Sequence, residues 1–321
     1  MNDALADAYR RFAHVEAEGV SETYFDWAMG VADDPDVLSL IAELPGMKKQ
    51  PNLIFAAARA LGAPVDGYGA VREWLVHRWP DVESVVRTRS TQTNEAARCA
   101  VLLPVLSRLD GELALIEAGA SAGLVLYPDQ YSYLYDTGEE VVEVHPRSGR
   151  SSVLIPCTID AASVPRHLPN VVWRAGADLN PLDVRNADDV AWLQTLVWPE
   201  HHARRERLHA AARIVSSHPP HLVAGDILER IPELVRQAPA GSRVVVFHSA
   251  VLVYLTPQHR AEFVAMMAQL PDVTWISNEG EYVLPGIADK VTTDVDGRTI
   301  LAVDGEPVAL VGPHGQSYQR L

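Results

Sequence analysis

Leu5, Tyr9, Phe12 and Val15 recur every three or four residues, the stripe of an amphipathic helix. Ser21 stands where an N-cap would open a second helix reaching about Val31. Pro45-Gly46 breaks the pattern. Asn52 to Leu61 then reads as a short apolar helix ended by Gly62, and Gly69 to Trp79 as another stopped by Pro80. Thr93, with Glu95 in the first turn, marks the start of a helix to about Leu106, its end shortened by Pro104. No convincing strand precedes residue 112.

The pattern changes at Asp110-Gly111. Leu113 to Glu117 is a short apolar run of the kind that fills a buried parallel strand, and it leads into Gly119-Ala-Ser121-Ala-Gly123 and a helix. Residues 131–160 alternate with period two around turns at 136–138 and 147–149, an inserted hairpin or small sheet. Further strands are expected at 171–173 running on to Asp178, at 222–224 ending at Asp226, at 243–247 and at 273–277. Helices are expected at 186–198, 201–216, 227–237 and 257–270. The tail, 290–311, alternates around Asp296-Gly297 and Asp304-Gly305 as an antiparallel meander. The expected organisation is a helical domain over 1–110 and an α/β domain over 111–321, with a hairpin insertion at about 131–170. Strands alternating with helices call for a mostly parallel sheet with C-terminal antiparallel strands.

Composition narrows the function. The 321 residues carry 27 Lys+Arg against 42 Asp+Glu, a formal charge of −15. That argues against binding nucleic acid or an anionic membrane surface. Two cysteines, Cys99 and Cys157, make neither a disulfide framework nor a thiolate metal site. No signal segment and no run long enough to span a bilayer is visible, so a cytoplasmic protein is expected. His201-His202 and His218-Pro-Pro-His221 do not have metal-ligand spacing, and no metal is expected.

The chemistry concentrates at strand ends. Glu117-Ala-Gly119-Ala-Ser121-Ala-Gly123 fits a glycine loop that lets a ligand approach the backbone, with Glu117 accepting from its polar groups. It also fits Gly-x-Ser-x-Gly, a hydrolase elbow at Ser121, for which His314 and Asp289 or Asp294 follow in the right order. A tight strand-to-helix turn with close packing would also account for the glycines. Asp178 would accept from ribose hydroxyls and Asp226 from an adenine amino group, although each also suits an N-cap or Asx turn. His248, directly after a strand, is a candidate general base, and its plain alternative is a hydrogen-bonded core histidine. Tyr254 and Glu279 are expected at the same end of the sheet. Asn94 and Arg98 would reach over the glycine loop to the substrate, with Asn180 beside Asp178.

Acids at three successive strand ends, with the first preceding a glycine loop, resemble the class I S-adenosylmethionine-dependent methyltransferase fold. The whole chain resembles more closely a bacterial domain-of-unknown-function family, number 2332. That resemblance rests on Gln92-Thr-Asn-Glu95 with Arg98, Glu117 to Leu124, Asp178 to Asp183, Val197-Trp-Pro-Glu200, Phe247 to Leu252 with Tyr254, and Pro313-His-Gly315. It implies a Rossmann-like sheet and S-adenosylmethionine held by Glu117, Gly119, Ser121, Gly123, Asp178 and Asp226. His248, Tyr254 and Glu279 would then face a small-molecule O- or N-nucleophile. A Ser121 hydrolase and a non-catalytic ligand-binding protein are the alternatives.

Overall fold

The structure, a computed structural model, describes residues 3–321. It has two compact units, residues 3–93 with 186–206, and residues 94–185 with 207–321. The division therefore falls at Thr93/Asn94 and not at residue 110, and the helix expected at 186–198 belongs with the first unit.

In the first unit the helices are Asp3–Phe12, Glu22–Ala32, Pro35–Ala42, Pro51–Ala60, Tyr68–Thr88 and Ala187–Leu196. Tyr9, Phe12, Tyr24, Trp27, Phe55 and Trp198 meet ring to ring in its centre. Ser21 caps its helix as expected, its Oγ accepting from Tyr24 N–H. Val15 departs from the expected stripe at 76% exposed, because a π-helical turn, Ala13–Ala17, adds a residue and rotates it outward. Pro80 does not end its helix, which runs on to Thr88. The buried stripe Val71, Leu75, Trp79, Val82 and Val86 continues through it. Pro80 and Val76, whose carbonyl loses its N–H partner, both sit on the exposed side.

The second unit is built on one 11-stranded sheet. Its strands are β1 Glu112–Ala118, β2 Ser132–Asp136, β3 Val141–Val144, β4 Leu154–Ile159, β5 Asn170–Asp178, β6 His221–Ala224, β7 Arg243–Ser249, β8 Val273–Gly280, β9 Thr299–Val303, β10 Glu306–Val311 and β11 Ser317–Arg320. Their order is β3-β2-β4-β11-β10-β9-β8-β7-β1-β5-β6. β6, β5, β1, β7 and β8 are parallel, and β8 through β11 are antiparallel. Chain order runs outward from β1 in both directions, to β5 and β6 on one side and to β7 and β8 on the other. The switch point lies between β1 and β7. Helices Ile227–Gln237 and Pro257–Gln269 bury Ile231, Leu234, Phe263 and Met267 against this part of the sheet.

The expected insertion is three strands that join the same sheet at its far end. β4 pairs with β11 through Thr158 and Ile159. Tyr131, Tyr133 and Tyr135, two residues apart, are wholly buried. Their hydroxyls donate to the carbonyls of Leu124, Pro128 and Ala100 at 2.7, 2.6 and 2.8 Å. No helix long and apolar enough to cross a membrane occurs among the described residues.

Candidate functional site

The carboxyl ends of β1, β5 and β6 bring Glu117, Asp178 and Asp226 to one edge. β1 and β5 pair directly, Ala118 opposite Ala177, so the long insertion leaves Asp178 beside the glycine loop. Gly119 N–H and Ala120 N–H both donate to Ala177 O, and Ser121 N–H donates to Asp178 Oδ2 at 2.8 Å. Asp178 Oδ1 accepts from Asn180 N–H at 2.9 Å. The Asp178 carboxylate thus ties the loop to β5.

Gly119 and Gly123 have φ +74 and +73. A Cβ on Gly119 would lie 2.4 Å from Val251 Cγ2, and one on Gly123 would lie 2.8 Å from Pro220. Both glycines are therefore required by the turn and by close packing. The helix expected after Gly123 is absent. A 3-10 turn, Leu124–Leu126, follows instead. Leu124 O would need the N–H of Pro128, which has none, and Tyr131 supplies the donor. No helix N-terminus therefore faces the loop.

That absence also removes the strand-turn-helix frame of a hydrolase elbow. Ser121 does have a positive φ of 49, but it is buried, and its main chain is fixed on both sides by Asp178 and Leu182. Another serine–imidazole–carboxylate line joins Ser132 Oγ to His145 Nδ1 at 2.9 Å and His145 Nε2 to Glu143 at 2.8 Å. Ser132 has no exposed surface and also accepts from Ser151 N–H, so it braces the β2–β3 hairpin.

Asn94 is hydrogen-bonded to the glycine loop itself. Its Oδ1 accepts from Leu124 N–H at 2.7 Å and its Nδ2 donates to Ala120 O, pinning the glycine loop from outside. Thr93 does not cap a helix; Glu95 does, accepting from Ala97 N–H ahead of the helix Cys99–Leu106. Arg98 is buried and donates to Ser249 O at 2.9 Å and Pro313 O at 3.1 Å, joining the end of β7 to the C-terminal loop. Gly315 lies against this segment so closely that a Cβ would be 2.0 Å from Ala97 O.

Glu117 is buried, and its Oε2 has no hydrogen-bond partner. Burial pushes its pKa well above the ordinary carboxylate value; the Arg98 charge opposes this and Asp178 adds to it. Asp226 is exposed and caps the helix Ile227–Gln237 through Leu228 N–H.

His248 is fully buried between β7 and β8. The Trp275 indole N–H donates to its Nε2 at 3.1 Å, and its Nδ1 lies 2.7 Å from Glu279 Oε1. An indole can only donate, so Nε2 accepts and Nδ1 carries the proton toward the carboxylate. With both nitrogens engaged, the ring is not available as the expected general base. Glu279 Oε1 also accepts from Val251 N–H and Leu252 N–H at 2.9 and 3.0 Å, and its Oε2 has no partner. The pair therefore fixes the turn after β7, including the Val251 side chain against Gly119. Trp275 and Val251 were not legible as site residues, because only the β7–β8 register, with His248 opposite Ser277, puts Trp275 and Glu279 on the face that flanks His248. Tyr254 lies on the surface of the 3-10 turn Leu252–Tyr254, and Asn180 is also exposed. Among the described residues no three His, Cys, Asp or Glu gather as a metal site.

The chain matches, over residues 6–320, the model of a family described as "Uncharacterized protein conserved in bacteria (DUF2332)", and it belongs to that family. No curated protein and no solved structure matches it.

Proposed function

We propose that this DUF2332 chain binds S-adenosylmethionine at the carboxyl edge of β6-β5-β1-β7-β8 and methylates a small-molecule O- or N-nucleophile. The carrying observation is the unpartnered Oε2 of buried Glu117, at the switch point and directly before the glycine loop. A buried carboxylate oxygen without a donor suits a ligand that brings one, and the cofactor's ammonium is such a group. The strand order, with acids ending β1, β5 and β6, supports the same reading.

In this reading Glu117 accepts from the ammonium, and the loop from Gly119 to Gly123 shapes the floor. Asp178, which ties the loop to β5, lies on the ribose side, and Asp226 offers its outer oxygen to the adenine amino group. When bound, the cofactor supplies an activated methyl group on its sulfonium. His248 and Glu279 enter as positioning residues that hold the turn after β7, and proximity supplies most of the acceleration.

Calorimetry with S-adenosylhomocysteine tests this. The wild type is expected to bind. Asp226→Asn keeps the helix cap, since Asn caps as well as Asp, but presents an amide to the adenine amino group and is expected to lose about tenfold in affinity. Full affinity in that variant contradicts the placement, and absence of wild-type binding contradicts the function.

A further inference from the structure

Glu117 shares its face of the sheet with Ser249. Ile116 and Ala118 of β1 and Val246 of β7 point into the core beneath the helices. Glu117, its register partner Phe247, and Ser249 two residues further along β7 therefore point to the other side. At ordinary strand spacing the Cα atoms of Glu117 and Ser249 are roughly 8 Å apart. Ser249 is buried, at 6% exposed. Its register partner Asn278 on β8 donates through Nδ2 to Ser249 Oγ at 2.9 Å, and Asn278 Oδ1 accepts from Thr299 Oγ1 at 2.5 Å. The second distance suits O–H···O and is too short for N–H···O, which settles the end of the amide that faces Ser249. Ser249 Oγ thus accepts from Asn278, and its own proton meets no acceptor among the described residues. Arg98 donates through Nη1 to Ser249 O at 2.9 Å and so brings a positive charge to the same residue.

Two buried groups on one face have complementary unspent capacity, an acceptor at Glu117 and a donor at Ser249 beside a guanidinium. An acid next to a hydroxyl and a cation suits a ligand with an ammonium and a carboxylate on one carbon. A hydrogen bond of about 2.8 Å at each end lets such a head bridge the two side chains. We infer that Glu117, Ser249 and Arg98 recognise the zwitterionic head of an α-amino acid. The ammonium meets Glu117, the carboxylate takes the Ser249 hydroxyl proton as a hydrogen bond, and Arg98 supplies the counter-charge. That this head is the aminoacyl end of S-adenosylmethionine rests on the methyltransferase reading; recognition of an α-amino acid does not.

The test titrates the full chain by calorimetry with S-adenosylhomocysteine and with its decarboxylated analogue, which keeps the amine and the nucleoside. The wild type is expected to bind the analogue about tenfold more weakly, as befits one lost charge-assisted hydrogen bond. Ser249→Ala is expected to weaken S-adenosylhomocysteine about tenfold and to leave the analogue within about twofold. Ser249→Thr, which keeps a hydroxyl, should retain the discrimination. Equal affinity of the wild type for the two ligands, which needs no variant, or equal loss of both in Ser249→Ala would overturn the inference. Free L-methionine against its decarboxylated amine, followed by saturation-transfer NMR, repeats the comparison without a nucleoside. L-Methionine bound in preference to the amine, with S-adenosylhomocysteine not bound, supports the inference and overturns the cofactor reading alone. Binding of neither amino acid ligand overturns both.

Discussion

Two regions of the second unit bury polar groups in opposite ways. In the inserted strands, Tyr131, Tyr133 and Tyr135 are sealed from water, yet each hydroxyl meets a carbonyl. At the carboxyl ends of β1 and β8, Glu117 and Glu279 are equally buried, yet each keeps an oxygen without a partner. Folding has no use for an orphaned carboxylate oxygen, because it lowers stability and specifies nothing. The first region shows how this chain satisfies a buried polar group when the group serves the fold. The second departs from that habit twice along one edge, where the proposed cofactor site lies; elsewhere in the unit Ser163 Oγ and Arg174 Nε are also buried without a partner.

The sharpest break of this contrast is Glu279→Ala. It strands Val251 N–H, Leu252 N–H and the His248 ring, and is expected to cost roughly 3–5 kcal/mol in denaturant unfolding. Glu279 therefore serves fold and site together. Gly119→Ala forces a Cβ into Val251 at φ +74 and is expected to cost roughly 2–4 kcal/mol. Tyr133→Phe leaves Pro128 O buried without its donor, for roughly 1–3 kcal/mol. Glu117→Gln should run the other way. The folded-state pKa of Glu117 is raised, so its stabilising share is full below the ordinary value of 4.5 and is lost as pH rises through the folded value. The variant lacks that loss. Thermal melts should coincide at low pH and favour Glu117→Gln increasingly as pH rises. Stability falling in the variant at every pH would place Glu117 in the fold, with the tyrosines.

Local signals carried much of this into the sequence. The five parallel strands, the helix caps at Ser21 and Asp226, and the antiparallel tail are written in periodicity and capping residues. Asp304-Gly305 has positive φ at both positions, as a two-residue hairpin turn between β9 and β10 requires. Breakers were harder to read. Pro80 yielded to an apolar stripe that continues through it, whereas Pro128 did suppress the helix after Gly123. Partners distant in sequence left no local trace. Nothing near Asn94 says that its amide clasps residues 120 and 124, and nothing near Thr158 announces β11. His248 shows the same limit. Its residue type suggested a base, and only the register beside Trp275 and Glu279 makes it a fixed core ring.

The central claim is that the orphaned Glu117 oxygen awaits a cationic group. Burial raises the Glu117 pKa, and an arriving ammonium should lower it again, so binding should be linked to proton release. Titrating S-adenosylhomocysteine at one pH in buffers of different ionisation enthalpy measures that proton directly. Binding accompanied by proton release in the wild type, with the release abolished and the affinity reduced in Glu117→Gln, is the predicted result. Binding that releases no proton and is unchanged by Glu117→Gln, or no binding, would contradict it.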